Sequence, residues 1–182
     1  MKRLALSLVA ALSMAAVATT AFAADTVTQA VTAGTRTASN ANLTLPSVAY
    51  AHTAQTSTGS MTLTADDSTG SGAGWNVTIL SSAFVYTGAN SGTNIPAANF
   101  SLSSAAAPVM TAGQVVDATG GPKVPTISPL GTLDTARKTV QANVGFGLGT
   151  YTQALGVSLS IPAQSRVGTY TGTLTTTIAA AP

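Results

Sequence analysis

From residue 26 onward the chain consists of short stretches that alternate apolar and polar positions, separated by clusters of glycine, proline, asparagine and serine. A period of two puts successive side chains on opposite faces of an extended backbone. Many short runs of this kind with turn residues between them predict a sandwich or barrel. No helical period is sustained. The runs predict strands over residues 27–32, 42–45, 60–65, 75–80, 83–86, 99–103, 139–146, 154–161 and 170–178. The expected fold is all-β, an antiparallel β-sandwich of about 8–10 short strands with long loops.

Alternation is cleanest near the end, where Leu155, Val157, Leu159 and Ile161 share one face and Gly156, Ser158 and Ser160 the other, until Pro162 stops the run. After a turn over 163–168, Tyr170, Gly172, Leu174, Thr176 and Ile178 alternate with threonines at 171, 173, 175 and 177. These two runs are expected to pair as a terminal antiparallel hairpin. Residues 105–135 carry Pro108, Pro122, Pro125 and Pro129 with four glycines and predict a long irregular excursion. Loops of that length occur mainly where a chain binds or assembles.

The single tryptophan, Trp75, stands where the turn Gly70-Ser71-Gly72-Ala73-Gly74 breaks into the alternating run Asn76-Val77-Thr78-Ile79. Its same-face neighbours Val77 and Ile79 favour a structural role between two sheets; the other reading is an indole that stacks on a sugar ring or a partner's apolar surface.

Charged residues make up only 7% of the chain, against about 25% in ordinary soluble domains. Glutamate is missing, and Asp25, Asp66, Asp67, Asp117 and Asp134 supply all the negative charge. Uncharged β-branched residues cover sheet faces well but give little repulsion between molecules, which favours surface-attached or assembled states. Met1-Lys2-Arg3, an apolar stretch over 4–18 and Ala21-Phe22-Ala23 read as a secretory signal peptide, residues 1–23, ahead of a single domain over 24–182. Lys2 and Arg3 leave with it, so five basic residues face five aspartates. That balance gives no basic nucleic-acid surface, and Arg137-Lys138 and Arg166 read as solvated strand ends. No later apolar run reaches the roughly 18 residues that cross a bilayer. The expected location is secreted, at the cell surface, with no transmembrane segment in the mature chain. Cysteine is absent, so core packing and ladder hydrogen bonds must hold the fold without disulfides.

Catalytic chemistry finds little support. His52 is the sole histidine, in the exposed-looking run Tyr50-Ala51-His52, and no Gly-x-Ser-x-Gly elbow occurs. Asp66 and Asp67 are adjacent, so on a strand they point to opposite faces and cannot form a facing carboxylate pair. One histidine without cysteine rules out the usual zinc spacings. The run Asp66-Asp67-Ser68-Thr69-Gly70 offers calcium-type oxygens without the spaced acidic pattern of a calcium hand, and capping of backbone amides by an Asx turn is the favoured reading. No catalytic residue, cofactor or metal ligand is assigned.

The segment from Asp66 through the glycine turn to Trp75-Asn76-Val77-Thr78 resembles the first signature of WxL-domain cell-surface proteins, in which an aspartate-containing, glycine-rich turn leads into Trp-x-Leu or a variant. The closing run from Gly168-Thr169-Tyr170 through the threonine-rich stretch to Pro182 resembles the second signature, with Thr176 where its tryptophan belongs and Ile178 where its leucine belongs. The resemblance implies an all-β, non-enzymatic surface domain held noncovalently on the cell wall through peptidoglycan or another envelope polymer, which supports other surface proteins. Trp75, Gly72, Gly74, Asn76 and Tyr170 are the first candidates for the contact. The alternative is a structural subunit of an extracellular fibre or surface layer that assembles with itself by β-strand exchange, motivated by the low charge, the threonine-rich last strand and the loose segment 25–40.

Overall fold

The structure is a computed structural model that describes residues 26–127 and 129–180. The expected signal peptide over 1–23 lies outside the described residues, as does the closing Pro182. Two units are distinguished, Met1–Val31 and Thr32–Pro182, and the β architecture belongs to the second. In the first, residues 26–31 are exposed and form no strand. The strand expected over 27–32 is therefore absent: its β-branched residues suit a strand, but a lone segment has no ladder to join.

Among the described residues eleven strands follow in chain order: β1 Arg36–Asn40, β2 Gln55–Asp67, β3 Trp75–Ser81, β4 Val85–Thr87, β5 Phe100–Ala105, β6 Val109–Gly113, β7 Gly131–Thr132, β8 Arg137–Ala142, β9 Gly149–Ile161, β10 Thr169–Thr171 and β11 Leu174–Ala180. The first sheet runs β1-β2-β9-β5-β7, with β6 also on β9; the second runs β11-β3-β8; β4 and β10 form a separate two-stranded ribbon. All pairings are antiparallel. The longest is β2 with β9, in register from Gln55↔Ile161 to Asp67↔Gly149.

The core lies between the two larger sheets. Met61, Leu63 and Ala65 of β2, Leu102 of β5 and Tyr151, Leu155, Val157 and Leu159 of β9 face Trp75, Val77 and Ile79 of β3 and Val140 of β8. These are the every-second positions of their strands, so the period-two pattern does select the buried face. The all-β sandwich expected from alternation is what the chain forms. Gln153, buried on that face, spends its amide on Ala106 O at 2.9 Å and Thr139 O at 3.0 Å. A buried amide without acceptors would be costly, and these bonds tie β9 to both neighbouring segments.

Three further strand expectations change in the structure. Residues 42–45 form no strand, though Leu43 and Leu45 pack against the core. The run expected over 139–146 ends at Ala142, where the chain turns through Asn143-Val144-Gly145 with positive φ at Gly145. The run over 170–178 is divided into β10 and β11, which belong to different sheets. The terminal hairpin also does not form. β9 lies inside its sheet, with β2 along one edge and β5 and β6 along the other, while β11 pairs with β3 and β10 with β4. Thirteen residues of long-range pairing with β2, closing one wall of the core, outweigh the local turn. Within 105–135 the excursion is partly ordered, as β6 and β7 and a bridge Lys123↔Gln141.

Candidate functional site

The glycine junction is built from side-chain caps. Asp67 ends β2, buried, and its Oδ1 accepts from Thr69 N at 3.1 Å and from Thr69 Oγ1 at 2.6 Å, which is the expected Asx turn. Its Oδ2 accepts from Arg36 at 2.8 Å. Burial pushes the Asp67 carboxyl up, but the hydrogen bonds from Arg36 and Thr69 outweigh it and hold the group below its ordinary value of 3.8. Asp66 is on the opposite face, taken by Thr150 Oγ1 at 2.6 Å and Ser68 Oγ at 2.7 Å. Among the described residues no group of three or more acidic or histidine side chains could hold a metal ion.

The turn delivers Trp75 into the core with no exposed surface. Its Nε1 donates to Gly147 O at 2.9 Å, and its ring lies 6.1 Å from that of Tyr151. Tyr151, whose phenol is raised by burial and then by the Asp67 charge, donates to Gln114 O at 2.6 Å. Two glycines permit the close fit. At Gly74 a Cβ would stand 2.7 Å from Ala142 O, and at Gly147 it would stand 2.5 Å from the Ala142 Cβ and 2.7 Å from the indole nitrogen, at φ +81. Gly72 O accepts from Gly145 N at 2.8 Å, bracing one turn on the other. Asn76, half-buried, is in register with Gln141 and Ala179. Trp75 thus fills the structural role that its alternation favours, and its enclosed ring offers no face to a polymer.

Tyr170 is elsewhere. β11 runs against β3 with Ala180 beside Trp75 and Leu174 beside Ser81, so Tyr170, four residues before Leu174, lies past the far end of that pair. Seven strand residues span about 20 Å. The structure therefore brings Gly72, Gly74, Trp75 and Asn76 together at one end and leaves Tyr170 at the other. There Tyr170 pairs with Tyr86 across β10 and β4, the rings 5.2 Å apart, and the two hydroxyls donate to Arg166 O and Val167 O.

Beside this pair an open groove of about 790 Å³ runs between residues 43–51 and 159–172. Tyr50, Val48 and Val167 stand along it at 52%, 40% and 80% exposure, with Arg166 the one cation among the described residues that line it. Its wall mixes apolar side chains with hydroxyl and amide groups, among them Ser57, Gln55 and Thr171. Of its residues the sequence reading singled out only Tyr170 as a contact. Tyr50 stands in the run Tyr50-Ala51-His52 and Arg166 has the pattern of a solvated strand end; nothing local joins two segments more than a hundred positions apart. His52 is exposed and packs edge-on against Tyr50, rings 5.2 Å apart. No described helix is long and apolar enough to cross a membrane.

No curated protein and no solved structure matches the chain at a significant level. A family does: over residues 9–182 the chain matches the family described as "WxL domain surface cell wall-binding", and it belongs to that family.

Proposed function

We propose that this protein is a non-enzymatic attachment domain that holds peptidoglycan in the groove between residues 43–51 and 159–172 and carries other surface proteins on the wall. Membership of the family puts the chain at the cell surface and makes a cell-wall polymer its partner. The observation that carries the finer reading is the groove itself, an open cleft in which tyrosine faces and a single cation stand together. Sugar rings present C–H faces that pack on tyrosine, and acetamide and hydroxyl groups meet the carbonyls and amides of the extended segment 43–51. Arg166 suits the carboxylates of a peptide-bearing glycan, which a guanidinium grips through two parallel hydrogen bonds. Trp75, Gly72, Gly74 and Asn76 serve this reading as the frame and Tyr170 as part of the contact. The export leader over 1–23 and a single domain over 24–182 complete it.

Retention on purified peptidoglycan tests the assignment, comparing the wild-type chain with Arg166→Ala, Tyr50→Ala and, as a control remote in the chain, Val144→Ser. Arg166→Ala and Tyr50→Ala each move protein from the pellet to the supernatant while the control stays bound. Wild-type protein left wholly in the supernatant overturns wall binding; equal retention of all four chains overturns the groove.

A further inference from the structure

Among the described residues β6 forms an open, uncharged sheet edge. Exposed edges are usually blunted by charge, by proline, by shortness or by cover. β1 carries Arg36 and leans on β11 through Asn40 Nδ2, which donates to Thr176 Oγ1 at 2.7 Å. β7 has two residues. β8 carries Arg137 and Lys138 and is bridged at Gln141 by Lys123. β6 follows Pro108 and is interrupted by a bulge between Met110 and Ala112, but it carries no charge and no further strand covers it. Its five residues, Val109-Met110-Thr111-Ala112-Gly113, are all exposed and uncharged, and they pair with β9 alone. In an antiparallel strand alternate N–H and C=O groups point away from the partner, so the outer side of β6 presents unpaired ladder groups. Val109 at 61% and Met110 at 37% exposure add apolar surface beside them.

The same chain holds a segment with the complementary lack. Residues 26–33, Thr-Val-Thr-Gln-Ala-Val-Thr-Ala, contain no charge, glycine or proline and are rich in β-branched side chains. They join no strand, and Val27 and Val31 are 97% and 94% exposed. We propose that residues 26–33 of one copy add as a strand to the outer edge of β6 in a second copy. Donor and acceptor are different surfaces, so the contact is head-to-tail and repeats from copy to copy, giving an open row of domains. Neither side brings a charge that the other would leave unpaired, and the low overall charge opposes association weakly.

The test uses the full chain without wall material, so its outcome is independent of the groove. Sedimentation velocity over a dilution series is expected to show dimers and longer species that dissociate on dilution. Val27→Lys with Val31→Lys removes the donor, Val109→Lys with Ala112→Lys blocks the acceptor, and each variant alone sediments as a monomer. Mixed, the two retain one good donor and one good acceptor, and they form a dimer and nothing larger. A synthetic peptide of residues 26–33, added in excess to the wild-type chain, caps the edge and returns the assembly to single domains without requiring any variant to fold. A wild-type chain that is monomeric throughout, an assembly that survives both substitutions, or one that ignores the peptide overturns the proposal.

Discussion

The two ends of the β3–β11 pair use aromatic residues in opposite ways. At the Trp75 end the turn is capped by Asp67, braced by Gly72 against Gly145, and closed over an indole with no exposed surface. At the Tyr170 end two tyrosines meet across a three-residue ribbon beside an open groove. Both ends lie on signature segments of the same family, yet one is frame and the other is surface. Aromatic identity does not separate them; what does is whether a second sheet lies over the ring. Trp75 has β9 above it, through Tyr151, whereas Tyr170, beside the ribbon strand, packs only partly against the core.

Substitutions should separate the ends by size of effect. Trp75→Ala empties the largest fully buried side chain and is expected to lower stability by about 3–5 kcal/mol in a denaturant melt. A loss under about 1 kcal/mol would place the indole outside the core and erase the contrast. Arg36→Ala leaves the Asp67 carboxylate buried without its cation and should cost about 3 kcal/mol, less than a fully enclosed pair because the arginine side chain is 12% exposed.

The same pair sets an acid limb. The folded-state pKa of Asp67 is below 3.8, so its contribution is fully present above that unfolded value and is lost as pH falls through the lower folded one. Melting temperatures measured down an acid series should therefore drop more steeply for the wild-type chain than for Asp67→Asn, and parallel curves would show that Asp67 is not the group responsible. Gly147→Ala drives a Cβ against the indole nitrogen at an unfavourable φ and should cost about 2 kcal/mol, read as a lowered denaturation midpoint. The smallest effect belongs to the open end. Tyr170→Ala removes one ring of the tyrosine pair and should cost about 1 kcal/mol, while retention on peptidoglycan falls. Unchanged retention with that small loss would make Tyr170 a packing residue only.

Much of the architecture was legible where local pattern suffices. The face shared by Leu155, Val157 and Leu159, the face of Trp75, Val77 and Ile79, and the opposed directions of Asp66 and Asp67 follow from a two-residue period alone. Pairing was not legible in the same way. The runs on either side of Pro162 look like a hairpin, but β9 finds better partners in β2, β5 and β6. Residues 27–32 are rich in β-branched side chains and yet join no strand, because composition says which residues suit a sheet and not whether another strand lies alongside.

By itself the sequence determined that the fold is all-β, where its glycine turns break, that Trp75 belongs with Val77 and Ile79, and which family the chain resembles. Only the tertiary structure decided that the indole is sealed, that Tyr170 stands at the opposite end, and that Tyr50 and Arg166 line one groove with it. The physical reason is range. Side-chain direction is set by a residue and its neighbours, whereas burial and convergence depend on which distant segments gain more by packing together than by pairing nearby.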